Sequence, residues 1–162
     1  MKNKGFSLVE LIIVIAIMAI LAAAIAPALI RYIDKSRRSD DVAAAETLNT
    51  AAQAALSNED AYDEVQTYMG SGDVCLATAT PGGQFTSSLT SISGGSFLYE
   101  INSSCSQKAP KLKFKKDHNG TGTKAVKWAI GVSDDGKPIV WLGTASDDTK
   151  YEMQPDICKE YK

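Results

Sequence analysis

A long apolar run broken by one acid constrains this chain more than anything else in it. The run extends from Phe6 to Ile30, and Glu10 is its only charged residue. From Leu11 to Ile30 there are twenty residues without a charge, which is the length needed to cross a hydrocarbon core of about 30 Å. A carboxylate in such a segment costs roughly 2.5–3.5 kcal/mol on insertion scales, so Glu10 calls for a partner or a function. An ordinary secretory signal has an apolar core of about 7–15 residues ahead of a small-residue cleavage site. This run is longer, although Ala22–Ala24 and Ala24-Ile25-Ala26 supply small residues. Only the short basic segment Met1–Gly5 precedes it.

The stretch Lys4-Gly5-Phe6-Ser7-Leu8-Val9-Glu10 resembles the leader of type IV prepilins and the related pseudopilins. The resemblance covers about the first thirty residues. It implies cleavage between Gly5 and Phe6 by a membrane-embedded prepilin peptidase, N-methylation of the new Phe6 amine, and retention of the apolar segment in the mature protein. Gly5 suits this place because it has no side chain to crowd a narrow cleavage site. The freed amine on Phe6 is positive, methylation keeps the charge, and it lies at the depth of Glu10. If Glu10 of one subunit meets the Phe6 amine of a neighbour, both charges are compensated and the axial register is set. Removing one partner of such a buried pair costs about 3–5 kcal/mol. The alternatives are that Glu10 neutralises the amine of its own chain, or that it is protonated.

Alanines at 16, 19, 22, 23, 24, 26 and 28 provide small-xxx-small pairs such as Ala19/Ala23 and Ala22/Ala26, which let membrane helices approach closely. Pro27 lacks an N–H and is expected to kink or locally melt the helix just upstream. In the family, a proline at the matching place accompanies loosening of this helix in the fibre. The flanking charges are Lys2, Lys4 and the terminal amine on one side, and Arg31, Lys35, Arg37 and Arg38 on the other. Counted this way they do not favour a cytoplasmic N-terminus. The resemblance implies one, with a single pass through the cytoplasmic membrane before assembly into an extracellular filament on the cell surface.

Beyond the membrane run, Val42, Ala45, Leu48, Ala52 and Ala55 recur at spacings of three and four, a narrow apolar helical stripe. One helix from about Phe6 to Leu56 would be about 75 Å long. Ser57-Asn58-Glu59-Asp60 reads as a stop and a new N-cap, followed by a short helix through Tyr62, Val65 and Met69. From Gly70 to Ala109 the chain is rich in Ser, Thr and Gly, and a short strand is expected at Phe97–Ile101. A β-meander follows in Lys111–Lys115, Ala125–Val132 and Ile139–Leu142, with a shorter strand near Lys150–Met153. Its turns are Asp117–Gly120 and Asp134–Pro138. The expected class is α+β, a long N-terminal transmembrane and amphipathic helix packed on a small antiparallel sheet, as the pilin resemblance also implies. The divisions are a leader (1–5), a transmembrane or filament-core helix (6–30), an amphipathic continuation (31–56) and a globular head (57–162).

Little in the sequence suggests catalysis or cofactor binding. The formal net charge of −2 shows no basic excess of the kind that marks nucleic-acid binding. Three cysteines, Cys75, Cys105 and Cys158, allow at most one internal bridge. Spacing alone does not choose the pair. A Cys105–Cys158 bridge would resemble the C-terminal disulfide loop of many pilins. With the single histidine, His118, the cysteines lack the close pair spacing of a zinc site. Asp117-x-Asn119-Gly120 is too fragmentary for a calcium loop. Asn102-Ser-Ser104 and Asn119-Gly-Thr121 are glycosylation sequons. The Arg31–Arg38 cluster suits a membrane flank and anionic lipid heads. One histidine provides no His-based triad.

The reading that results is a structural subunit of a type IV pilus-like filament, not an enzyme and without a cofactor. Its partners would be copies of itself and related pilins, the prepilin peptidase, the membrane and a pilus assembly platform. One alternative is a pseudopilin of a type II secretion or competence system, which shares the motif. The absence of an obvious C-terminal calcium loop speaks against the major secretion pseudopilin, and an acid at position 10 favours a bulk subunit. The other alternative is a membrane-anchored binding or adhesin module.

Overall fold

The computed structural model describes residues 7–89, 92, 95–116 and 124–162. The leader positions Gly5 and Phe6, the Asp117–Gly120 turn with His118, and the sequon at Asn119 lie outside the described residues. Compactness divides the chain into two units, Met1–Ser36 and Arg37–Lys162. One helix, α1 (Leu8–Leu56), runs through the boundary.

In the first unit every described residue is exposed except Asp34, which is half-buried. The apolar side chains of α1 therefore have no core of their own. The helix continues without a break through Pro27, so of the kink or melting expected there, melting does not occur in the single chain. Pro27 removes one hydrogen bond to the carbonyl four residues back. The good helix formers around it carry the remaining ladder, much as membrane helices tolerate proline.

The second unit is built on the amphipathic end of α1. Ala45, Leu48, Ala52 and Ala55 are fully buried, and Val42 is partly buried against the same core. The expected stripe is therefore the packing face. It rests on one face of a five-stranded antiparallel sheet of order β2-β1-β3-β4-β5. The strands are β1 (Val74–Ala79), β2 (Thr86–Ser87), β3 (Lys127–Val132), β4 (Pro138–Gly143) and β5 (Tyr151–Gln154). Leu76, Trp128, Ile130, Val140, Leu142 and Met153 meet the helix stripe in the main core. Ala129, Ile139 and Trp141 form a smaller cluster, with Cys75 packed against it. The β3–β4 register pairs Lys127 with Gly143 and Val132 with Pro138. Gly136 closes this hairpin at φ +76°, a conformation that favours glycine.

Three expectations need correction. Phe97–Ile101 is not a strand but lies within helix α3 (Ser96–Ser104). Phe97 and Ile101 are both buried, and their spacing of four puts them on one helical face. Lys111–Lys115 is not part of the sheet. Its side chains do alternate, with Leu112 and Phe114 buried and the three lysines exposed. Its backbone, however, bonds elsewhere, as described below. The sheet gains β1 and β2 from the Ser/Thr-rich stretch, where Val74–Ala79 mixes small and β-branched residues with one leucine and carries too weak a periodicity to be read. The short helix is α2 (Glu59–Gln66), and the side chain of its N-cap, Asn58, accepts from the Asp60 N–H at 3.0 Å.

Candidate membrane and assembly helix

Glu10 heads α1. The helix begins at Leu8, so Ser7 is the N-cap and Glu10 the third helical position. The Glu10 carboxylate reaches back to accept the Ser7 N–H at 2.9 Å. This is half of a capping box, in which an S-x-x-E sequence satisfies N–H groups that the first turn leaves open. The helix dipole also favours a negative charge at this end. Glu10 is thus held within its own helix in the single chain. A carboxylate offers about four acceptor sites, so this bond leaves capacity for a cation. The S-x-x-E pattern is legible in Ser7-Leu8-Val9-Glu10, where the cost of a charge in an apolar run overshadows it.

Below it, α1 presents apolar side chains on all sides. Leu8, Met18 and Ile20 are 72%, 63% and 70% exposed. A helix that is apolar all round is stable only when covered by lipid or by other helices. The segment is long and apolar enough to cross a membrane, and none of it is buried within the chain. Pro27 lies inside this segment on the unbroken helix.

The other end of α1 is held in the second unit by another acid. Asp41 is fully buried. Its Oδ1 accepts the Lys113 N–H at 2.7 Å and its Oδ2 the Phe114 N–H at 2.9 Å. These bonds replace the strand partner that Lys111–Lys115 lacks. Burial outweighs the two N–H bonds and pushes the Asp41 carboxyl above its usual range, with the neighbouring Asp40 adding to the rise. Arg38, one helical turn earlier, lays its guanidinium over the Phe114 ring at 4.5 Å from the centroid, a cation–π contact. Phe114 in turn meets Tyr161 edge-on at 6.2 Å, and Tyr161 meets Tyr151 at 6.1 Å. The C-terminus, the 112–114 segment and α1 are therefore locked at one place. A signal was available, since Asp41 sits in phase with Ala45, Leu48, Ala52 and Ala55, and an acid on an apolar stripe calls for a buried partner.

The cysteines do not follow the resemblance. Cys75, Cys105 and Cys158 are all free thiols, so the expected Cys105–Cys158 bridge is not present in this structure. Cys105 and Cys158 instead pack against the main core as half-buried apolar groups. Burial pushes all three thiols above their ordinary value, which lowers the thiolate fraction available for exchange. Among the described residues no group of three or more His, Cys, Asp or Glu is arranged to hold a metal.

Comparison with known proteins bears on the first helix above all. Residues 1–26 match the family model described as the prokaryotic N-terminal methylation motif. The start of α1 therefore carries the motif. The chain is also similar to the type IV major pilin protein PilA of Myxococcus xanthus (strain DK1622), with 36% identity over 69 residues. That match covers 43% of this chain and 31% of the relative, so the chain spans about a third of the length of this curated relative. No solved structure matches. The similarity is to a major pilin, and the methylation motif falls on the N-terminal end of the chain. Together with the long apolar helix and the small antiparallel sheet, it makes the chain pilin-like in both sequence and fold.

Proposed function

We propose that this chain is a structural subunit of a type IV pilus-like filament, processed after Gly5 and assembled through its N-terminal helix. The observation that carries the reading is α1 itself. Its prepilin-type start is followed by an unbroken apolar surface that no described residue of the chain covers. Lipid would cover that surface before assembly, and the helices of other subunits afterwards. In the membrane stage Glu10 is held by its own first turn. In the filament the Phe6 amine of a neighbouring subunit adds a cation at the same depth, so the acid would serve as a register mark. The description of the Myxococcus relative as a major pilin favours a bulk pilus subunit over a pseudopilin.

Replacing Glu10 by Ala tests the assembly role. The variant is expected to enter the membrane and to be processed normally, yet to yield no filaments in electron micrographs of cells labelled against the head. Normal filaments from Glu10→Ala would rule out the register role. Dispersed membrane label from the unaltered protein would favour an anchored binding module instead.

A further inference from the structure

The sequon Asn102-Ser-Ser104 lies at the end of α3, and its amide is already engaged. The Asn102 Oδ1 accepts the Phe85 N–H at 2.8 Å, and the Asn102 Nδ2 donates to the Phe85 carbonyl at 2.9 Å. One side-chain amide thus takes the place of a strand partner for one residue, just ahead of the edge strand β2. The flanking chain pairs in the same way. The Gly82 N–H donates to the Ala109 carbonyl at 2.9 Å, the Ala109 N–H donates to the Gly83 carbonyl at 2.7 Å, and Gln84 bonds Gln107. Phe85 is buried in the main core and Asn102 is half-buried. Asn102 therefore holds Phe85 in place from 17 residues away.

We propose that Asn102 is a clasp for Phe85, and that this clasp and a glycan on the same amide exclude each other. An asparagine amide has one acceptor oxygen and two N–H donors. Bonds from one amide to the N–H and C=O of a single residue run side by side, so Nδ2 uses the hydrogen on its Oδ1 side. An N-linked sugar would make the amide secondary. The trans form of a secondary amide puts the new carbon on that same side, where the Phe85 carbonyl sits. The cis form would spare the hydrogen bond but is disfavoured by roughly 70-fold. The helix adds a second obstacle. Residues two apart on a helix do not face each other, so the Ser104 hydroxyl and the Asn102 amide of the sequon are held apart in α3. Glycan transfer to Asn102 thus requires α3 and the Phe85 segment to be open, and folding of the head withdraws the site.

Amide exchange and peptide mass spectrometry on the full-length chain, purified from its own cells in non-ionic detergent, test both halves. Peptides that contain Asn102 are expected to be bare. A glycosylated fraction whose Phe85 amide exchanges freely would also support the exclusion, because its clasp is open. Glycan on Asn102 in molecules whose Phe85 amide stays protected overturns it. Asn102→Ala removes both bonds, and exchange at the Phe85 amide should rise by about tenfold or more, while the β3–β4 hairpin keeps its protection. Asn102→Asp retains an acceptor for the Phe85 N–H but sets a carboxylate oxygen against the Phe85 carbonyl. It should also speed that exchange, and it decides the matter should Asn102→Ala fail to fold. Ser104→Ala abolishes the sequon without touching the amide and should leave Phe85 as protected as before. Full protection of Phe85 in the Asn102 variants overturns the clasp. A loss in Ser104→Ala equal to that in Asn102→Ala overturns it too, because the amide would then not be what holds Phe85.

Discussion

At the scale of single residues, Asp41 and Tyr161 carry the sharpest consequences. Asp41 uses both oxygens as acceptors, and an asparagine has only one to offer. In Asp41→Asn the amide NH₂ would face one of the two N–H groups, leaving a buried donor unsatisfied at a cost of about 1–3 kcal/mol. Urea unfolding should show that loss, with little change in the m-value. Burial, with the negative field of Asp41 next, pushes the Tyr161 hydroxyl far above its ordinary value. A raised folded pKa contributes stability that is fully present below the unfolded value of about 10 and is lost as pH rises beyond it. Tyr161→Phe retains a ring to meet Phe114 and Tyr151 but cannot ionise. The unaltered protein should therefore lose more stability between pH 8 and pH 11 than Tyr161→Phe does, measured as the fall in urea midpoint. An equal fall in both would remove Tyr161 as a source of alkaline instability.

Among the elements, the sheet depends on one close approach. Gly131 on β3 pairs with Cys75 on β1, and a Cβ placed there would run into the Val74 carbonyl oxygen and the ring of Trp141. Neither neighbour is the free end of a flexible side chain. Gly131→Ala should therefore destabilise by about 1–3 kcal/mol, as overpacking generally does, and loosen β1 from β3. Amide exchange would show it as lost protection in Val74–Ala79, with β4 retaining its own. Helix α3 has its own cross-element tie. Its N-cap, Gly95, offers no side chain, and the Glu64 carboxylate on α2 accepts the Phe97 N–H at 3.1 Å instead. This tie links two elements 33 residues apart in the chain, so no local pattern announced the start of α3. In contrast, α1 and the β3–β4 hairpin were legible, because each carries its signal within one window. The helix has its stripe at three and four, and the hairpin has two apolar runs around Asp134-Asp-Gly136.

For the molecule as a whole, processing and thiol state are read together by mass. Prepilin-type processing is expected to remove Met1–Gly5 and add one methyl group to Phe6. Alkylation of the unfolded mature protein without reductant should add three groups, one for each of Cys75, Cys105 and Cys158. Two of the three thiols failing to react would show that a bridge forms after all. Retention of the leader would remove the main support for assembly through a pilin-type helix.

The sequence alone determined the first helix and its chemistry. A twenty-residue uncharged run, an acid at its head and a prepilin-like leader are local facts that need no tertiary context. Only the tertiary structure decided how the head is held together and what it displays. Asp41 finds its two backbone donors 72 and 73 residues away, and Glu64 meets the Phe97 N–H 33 residues on. The physical reason is the same in both cases. A periodic pattern records which face of one element is buried, but the partner of a buried charge and the neighbours of an exposed one depend on how distant segments meet.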